Sequence, residues 1–282
     1  MKNRSDPRTC RSAGGLSQYV CFFRIRFTAS LQYRASALAG IVTQFAWGGM
    51  LILLFRAFYE SSPAAFPMPF SALVSYFWLQ QSFLTLLAPW AYNTQIMDSV
   101  QDGTVAYELC RPADLYAMWF TRNVADRCAK VCLRGLPILI AACVIPEPYS
   151  FAPPPGVQNL LLFAASAALG SLAVVAVNML VFISAFYTTS TQGMRLLFNT
   201  TAEFLCGGII PLPFMPAGVR TVLAFLPLGS VENTPFLIYT GYYQSTAAVQ
   251  GLCVQAAWIL VLIAAGRAWL ARSLRRVVVL GG

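Results

Sequence analysis

Six apolar stretches separated by polar connections run along this chain, at roughly 35–55, 70–90, 131–145, 160–187, 196–213 and 247–270. A helix needs about 20 residues to cross about 30 Å of hydrocarbon. Four or five of the stretches reach that length; the third is short and is extended by starting near Lys130. Ahead of them the pattern differs. Leu16, Tyr19, Val20, Phe23, Phe27 and Leu31 fall on one helical face, while Arg24, Arg26 and Arg34 interrupt the run with charge. This predicts an amphipathic helix over 16–34, lying along the membrane surface. Residues 1–15 are polar and basic and read as a disordered tail, with no cleaved signal. Residues 35–282 then form one membrane domain. The expected fold is an all-α integral membrane protein with six transmembrane helices.

The basic residues set the orientation. With the N-terminus inside, 17 of the 19 Lys and Arg fall on cytoplasmic segments, leaving only Arg56 and Arg220 outside. That asymmetry places both termini in the cytoplasm of a cell-membrane protein. The chain is 58% hydrophobic and only 10% charged, which leaves little for a separate soluble domain. A net charge of +9 could invite a nucleic-acid partner. Its placement beside membrane helices points to anionic lipid headgroups instead, and no nucleic acid is expected.

The chain contains no His, so the commonest general base and metal ligand is missing. Eight Cys are scattered, mostly in helices or on the cytoplasmic side, and a disulfide framework is not expected. Cys128 and Cys132 share a helical face, but two thiols without further ligands do not make a zinc site. No metal, cofactor or catalytic residue is assigned.

Two connections are larger than a hairpin needs. The cytoplasmic one, 91–134, holds five of the ten acidic residues: Asp98, Asp102, Glu108, Asp114 and Asp126. Gly103 can take positive φ and end a short helix, and Pro112 breaks the run before it. The predicted shape is a short helix, a Gly turn, a second segment and an Arg-Pro corner. It would suit a soluble partner, or be a plain solvated loop. The other large connection is outside yet apolar. Pro211, Pro213, Pro216 and Pro227 cannot share one uninterrupted helix. The fifth span is expected to end near Pro211, with a short re-entrant helix over 217–226 and another over 235–239. This segment reads as an outer gate or as passive packing. Within the spans, Glu203 is the one acidic residue placed in the membrane, and such a carboxylate usually faces a bundle interior. Asn199, Asn178 and Gln81 join it as candidates for a translocation path.

The run Asp98-x-x-x-x-Gly103-Thr-x-Ala-Tyr-x-Leu-x-Arg111-Pro112 resembles the coupling region of ABC-2 family permeases, the membrane subunits of ATP-binding-cassette exporters. Leu31-Gln-Tyr-Arg34 and Phe204-x-x-Gly-Gly-Ile-Ile-Pro-Leu-Pro-Phe-Met-Pro216, followed by Leu226-Pro227, extend the resemblance in the same order. The sequence Pro227-Leu-Gly-Ser departs from it where an aromatic would follow the proline.

The resemblance implies a permease without its own nucleotide site, and the chain has no Gly-rich loop ending in Gly-Lys-Ser/Thr. ATP and Mg would be held by a separate ATPase subunit. A second permease, identical or related, would complete the membrane unit. The coupling piece would be 96–104, with Asp98, Val100, Asp102 and Gly103 as contacts and Arg111 and Pro112 anchoring it to the third span. A smaller contact is expected around Thr189, Gln192 and Arg195. The transported compound would be lipophilic or amphipathic. Two readings from other classes stand beside this one: a self-contained channel or ion-coupled carrier, and an intramembrane lipid enzyme. The second lacks a His and a paired carboxylate.

Overall fold

The fold is given by a computed structural model that describes residues 15–188 and 190–275. The expected tail therefore lies outside the described residues except for Gly15, and so does Thr189. Among the described residues the secondary structure is helical throughout. The twelve helices are α1 Gly15–Ser30, α2 Arg34–Ser61, α3 Phe70–Leu87, α4 Gln95–Gln101, α5 Val105–Leu109, α6 Leu115–Lys130, α7 Leu136–Val144, α8 Val157–Ser184, α9 Thr191–Leu205, α10 Ala217–Phe225, α11 Pro227–Tyr239 and α12 Ser245–Leu274.

Three helices are individually long and apolar enough to cross a membrane: Arg34–Ser61, Val157–Tyr187 and Ser245–Leu274. The pair α10 and α11, bent by 101° at Leu226, would make a fourth span if taken as one. The remaining apolar stretches do not meet that test as single helices, for identifiable reasons. Helix α3 carries Gln80 and Gln81, which lower its hydropathy, and it is buried along most of its length. It therefore need not present an apolar surface all round. The third stretch belongs to a continuous run from Leu115 to Val144, in which a π-helical turn, Val131–Gly135, joins α6 to α7. Pro137 lacks the N–H its turn requires and crowds the carbonyl four residues back, and a widened turn relieves both. Gly135 lets this turn touch α3, where a Cβ would collide with the Ser82 carbonyl.

Two expectations change. The fifth stretch does not run to Pro211. Helix α9 stops at Leu205, because Gly207 takes φ +77° and Gly208 N–H donates to Glu203 O at 3.0 Å, a left-handed glycine closure. The helix expected over 235–239 is the end of α11, which begins at Pro227 and continues through Pro235. Val231, four residues before Pro235, loses its helical donor. Its carbonyl lies against α8 where Gly170 leaves room, since a Cβ there would be 2.8 Å away.

The core forms where α8, α11 and α12 pack together and α3 closes the other side. Gln255 of α12 ties three helices, accepting from Ser166 Oγ at 3.0 Å and donating to Ser230 O at 2.8 Å. Buried polar groups gain from such full pairing, because leaving one unpaired costs about 1–3 kcal/mol. Helix α1 lies against α6, where Ser30 Oγ donates to Asp126 at 2.7 Å. Its apolar positions Leu16, Val20 and Ile25 remain exposed. Cys110, Cys128, Cys132, Cys143, Cys206 and Cys253 are free thiols. Cys21 is disulfide-bonded.

Candidate functional site

The connection between α3 and α6 has the shape its Gly and Pro positions predict. Helix α4 ends at Gln101, Asp102 N–H closes on Asp98 O at 2.9 Å, and Gly103 turns with φ +71°. Helix α5 follows, then a turn through Arg111 and Pro112 that leaves both residues exposed. Ile96, Met97 and Val105 are buried in a cluster with Trp119 and Phe182. The opposite surface, with Asp102, Gly103, Thr104 and Tyr107, is exposed, and Asp98 and Val100 are half-buried at its edge. Tyr107 is 77% exposed. It was not singled out from sequence, because one aromatic in a polar loop has no periodic signal.

Contacts from this connection to α6 and α12 run through two acids, while the expected anchors Arg111 and Pro112 lie exposed beside them. Glu108 accepts from Trp119 Nε1 at 2.6 Å and sits 3.9 Å from Arg122. Asp114 caps α6 by accepting from Ala117 N–H at 2.9 Å and faces Arg267 of α12 at 3.7 Å. Arg267 also stands over the Tyr116 ring. Among the described residues the Arg111 side chain makes no ion pair. The start of α9 reaches the same surface: Thr191 Oγ1 donates to Gln101 Oε1 at 3.0 Å. Tyr92 OH donates to Asn199 Oδ1 at 3.1 Å, so this path candidate sits beside the connection between α3 and α6.

The other path candidates are not brought together. Gln81 is buried between α2 and α3, packed on Gly48. Asn178 is wholly buried. With its amide turned to suit its neighbours, it donates to Pro89 O at 2.9 Å and accepts from Arg127 Nη2 at 2.7 Å. Glu203 is half-buried on α9.

Two charged residues that the sequence reading passed over are the most deeply buried. Arg127, 1% exposed, donates to Leu86 O at 2.7 Å and to Ala88 O at 3.1 Å, closing the carbonyl end of α3. Glu232 of α11 is 2% exposed. Around it stand Cys206, Gln80, Glu203 and Arg127. Its Oε2 and the neighbouring Gln80 Oε1 both lack hydrogen-bond partners, while Gln80 Nε2 donates to Gly208 O at 3.0 Å. Glu232 fell between the short helices expected over 217–226 and 235–239 and was given no role.

Of the four prolines expected at a gate, Pro211, Pro216 and Pro227 stand at the start of an element. Pro211 precedes the 3-10 turn Leu212–Phe214, which contains Pro213; Pro216 precedes α10 and Pro227 opens α11. Among the described residues no group of three or more metal-ligating side chains occurs.

A family model described as ABC-2 family transporter protein matches residues 45–281. The chain belongs to that family and is a permease of an ABC transporter, a multi-pass helical membrane protein. No curated protein matches it.

Proposed function

We propose that this permease is the membrane half of an ATP-driven exporter for a lipophilic or amphipathic compound. A separate ATPase subunit holds ATP and Mg and performs the hydrolysis; this chain has no catalytic role. The chain pairs with a second copy or a related permease in the cell membrane, with both termini in the cytoplasm. Its spans are α2, α3, the joined α6–α7, α8, α9 with the residues after it, and α12. Helices α10 and α11 form a re-entrant pair at the outer face.

The observation that carries the reading is the α4–Gly103–α5 corner. One side is fixed to the body by buried Ile96, Met97 and Val105. The other presents Asp102, Thr104 and Tyr107 to the cytoplasm. A surface that is both rigidly backed and exposed can receive a push and pass it on. Glu108 and Asp114 supply the transmission, joining the corner to α6 and α12.

One feature favours the ion-coupled carrier reading instead: the buried Glu232 with Glu203 and Arg127 near it. Transport by the purified permease with no ATPase would select that reading. The decisive variant combines Asp98→Ala, Val100→Pro and Asp102→Ala. It is expected to insert normally and to lose either the copurifying ATPase or ATP-driven transport. Single exposed ion pairs contribute about 1 kcal/mol or less, which is why charge and helix are removed together. Normal transport by the triple variant would sink the proposal.

A further inference from the structure

Between α10, α11 and α12, at the end of the molecule away from the coupling corner, lies a cavity of about 360 Å³. That is within the roughly 300–1,000 Å³ of small-molecule sites. Arg220, Thr234, Tyr242, Tyr243 and Gln250 line it, with Phe225 at its edge. No acidic side chain does.

Arg220 and Arg56 are the two basic residues assigned to the outside. Arg56 is already engaged: its Nε donates to Glu60 at 2.6 Å, and its guanidinium lies over the Tyr149 ring. Among the described residues Arg220 makes no ion pair and no hydrogen bond through its side chain. Thr234 is 5% exposed, and its hydroxyl is bonded to no protein group. Among the described residues the side chain of Gln250 and the Tyr242 and Tyr243 hydroxyls likewise make no hydrogen bond. Five donor-bearing side chains thus converge on one space with a single positive charge. Their complement is an anion with several acceptor oxygens, and a guanidinium matches phosphate with two parallel bonds.

The surroundings specify the rest of the ligand. Phe225, which lines the cavity, is 65% exposed, and Val222 of the same helix is 61% exposed. Tyrosines with an apolar body and polar tip suit the level of lipid headgroups. We infer that this cavity binds the phosphate headgroup of an anionic amphiphile from the outer leaflet, with its chains lying along α10. The site rests on the outward placement of α10–α12 in the proposed function, and not on ATP coupling.

The test uses the full-length permease alone, in detergent, with phosphatidylglycerol, phosphatidylcholine or soluble glycerol 3-phosphate as probes. Native mass spectrometry counts retained lipid, and thermal unfolding reports protection. Wild type is expected to retain one phosphatidylglycerol that Arg220→Gln releases, with affinity about tenfold lower in the variant. Arg220→Lys should keep most of it, and Arg56→Gln all of it. Thr221 also lines the cavity, so Thr221→Trp keeps the charge, fills the space and should lose the lipid too. Equal retention by wild type, Arg220→Gln and Thr221→Trp would overturn the site. Protection by glycerol 3-phosphate equal to that by the lipid would overturn the amphiphile and leave a soluble phosphate. Because no ATPase is present, failure here leaves the exporter reading intact, and failure of ATPase docking leaves this site intact.

Discussion

The Tyr76 hydroxyl donates to Asn233 Oδ1 at 2.8 Å, joining α3 to α11 across 157 positions of sequence. The same Oδ1 accepts from Leu212 N–H at 3.2 Å. The amide nitrogen donates to Gly229 O at 3.1 Å and also to Cys206 O. One side chain therefore holds the end of α9, the turn after it, α11 and α3.

Asn233→Leu keeps the volume and removes all four bonds. Each buried group left unpaired costs on the order of 1–3 kcal/mol, so the melting temperature of the purified protein should fall by many degrees. Asn233→Asp keeps the acceptor and should fall less. Equal melting of Asn233→Leu and wild type would refute this account of the outer segment.

Glu232→Gln should be tolerated in folding. Gln80 Oε1 lacks a donor, and the new amide supplies one. Glu232→Ala supplies none and leaves a cavity, so it should melt lower than Glu232→Gln. The reverse order would show that charge, rather than hydrogen bonding, holds this position. If the carrier reading were correct, Glu232→Gln would abolish transport while melting normally.

Gly103→Val forces a branched side chain into φ +71°. For a non-glycine residue this conformation costs roughly 1–2 kcal/mol. No heavy atom stands within 4 Å of the added Cβ, so global melting should change little. The strain falls on the exposed corner, and ATP-driven transport should drop while insertion stays normal. A variant with unchanged transport would remove Gly103 from the coupling surface.

Topology can be read by single-cysteine labelling in a background without native cysteines. An impermeant reagent should label Pro154→Cys from outside and Gln101→Cys only after the membrane is opened. Labelling of both from one face would overturn the six-span arrangement.

The coupling corner was legible because it is written in residues with strong local rules. Gly103 permits positive φ and Pro112 stops a helix, and both act within a few neighbours. The end of α9 carried a local signal too, Gly207-Gly208, four residues before the Pro211 at which the span was expected to end. What sequence hid is long-range. Pro235 sits inside α11 because Gly170 of α8 and Gln255 of α12 cover the carbonyls near it. No local pattern announces that compensation. Glu232 went unseen for the same reason: its burial follows from the full length of α11, of which only 235–239 was expected as helix. Arg127 read as one more cytoplasmic charge, since nothing near it in sequence names the carbonyls of Leu86 and Ala88.

That last contact bears on the order in which the chain is made. The carbonyl end of α3 has no capping side chain of its own, and its partner lies 39 positions later. While Arg127 is still inside the ribosome, those carbonyls have only water to bond. The newly made α3 must therefore keep its trailing end at the aqueous surface until α6 emerges and displaces that water. Folding of α3 is thus left unfinished by its own residues. A nascent chain arrested before Arg127 should hold a protease-accessible site at 88–94, and one arrested well after it should not.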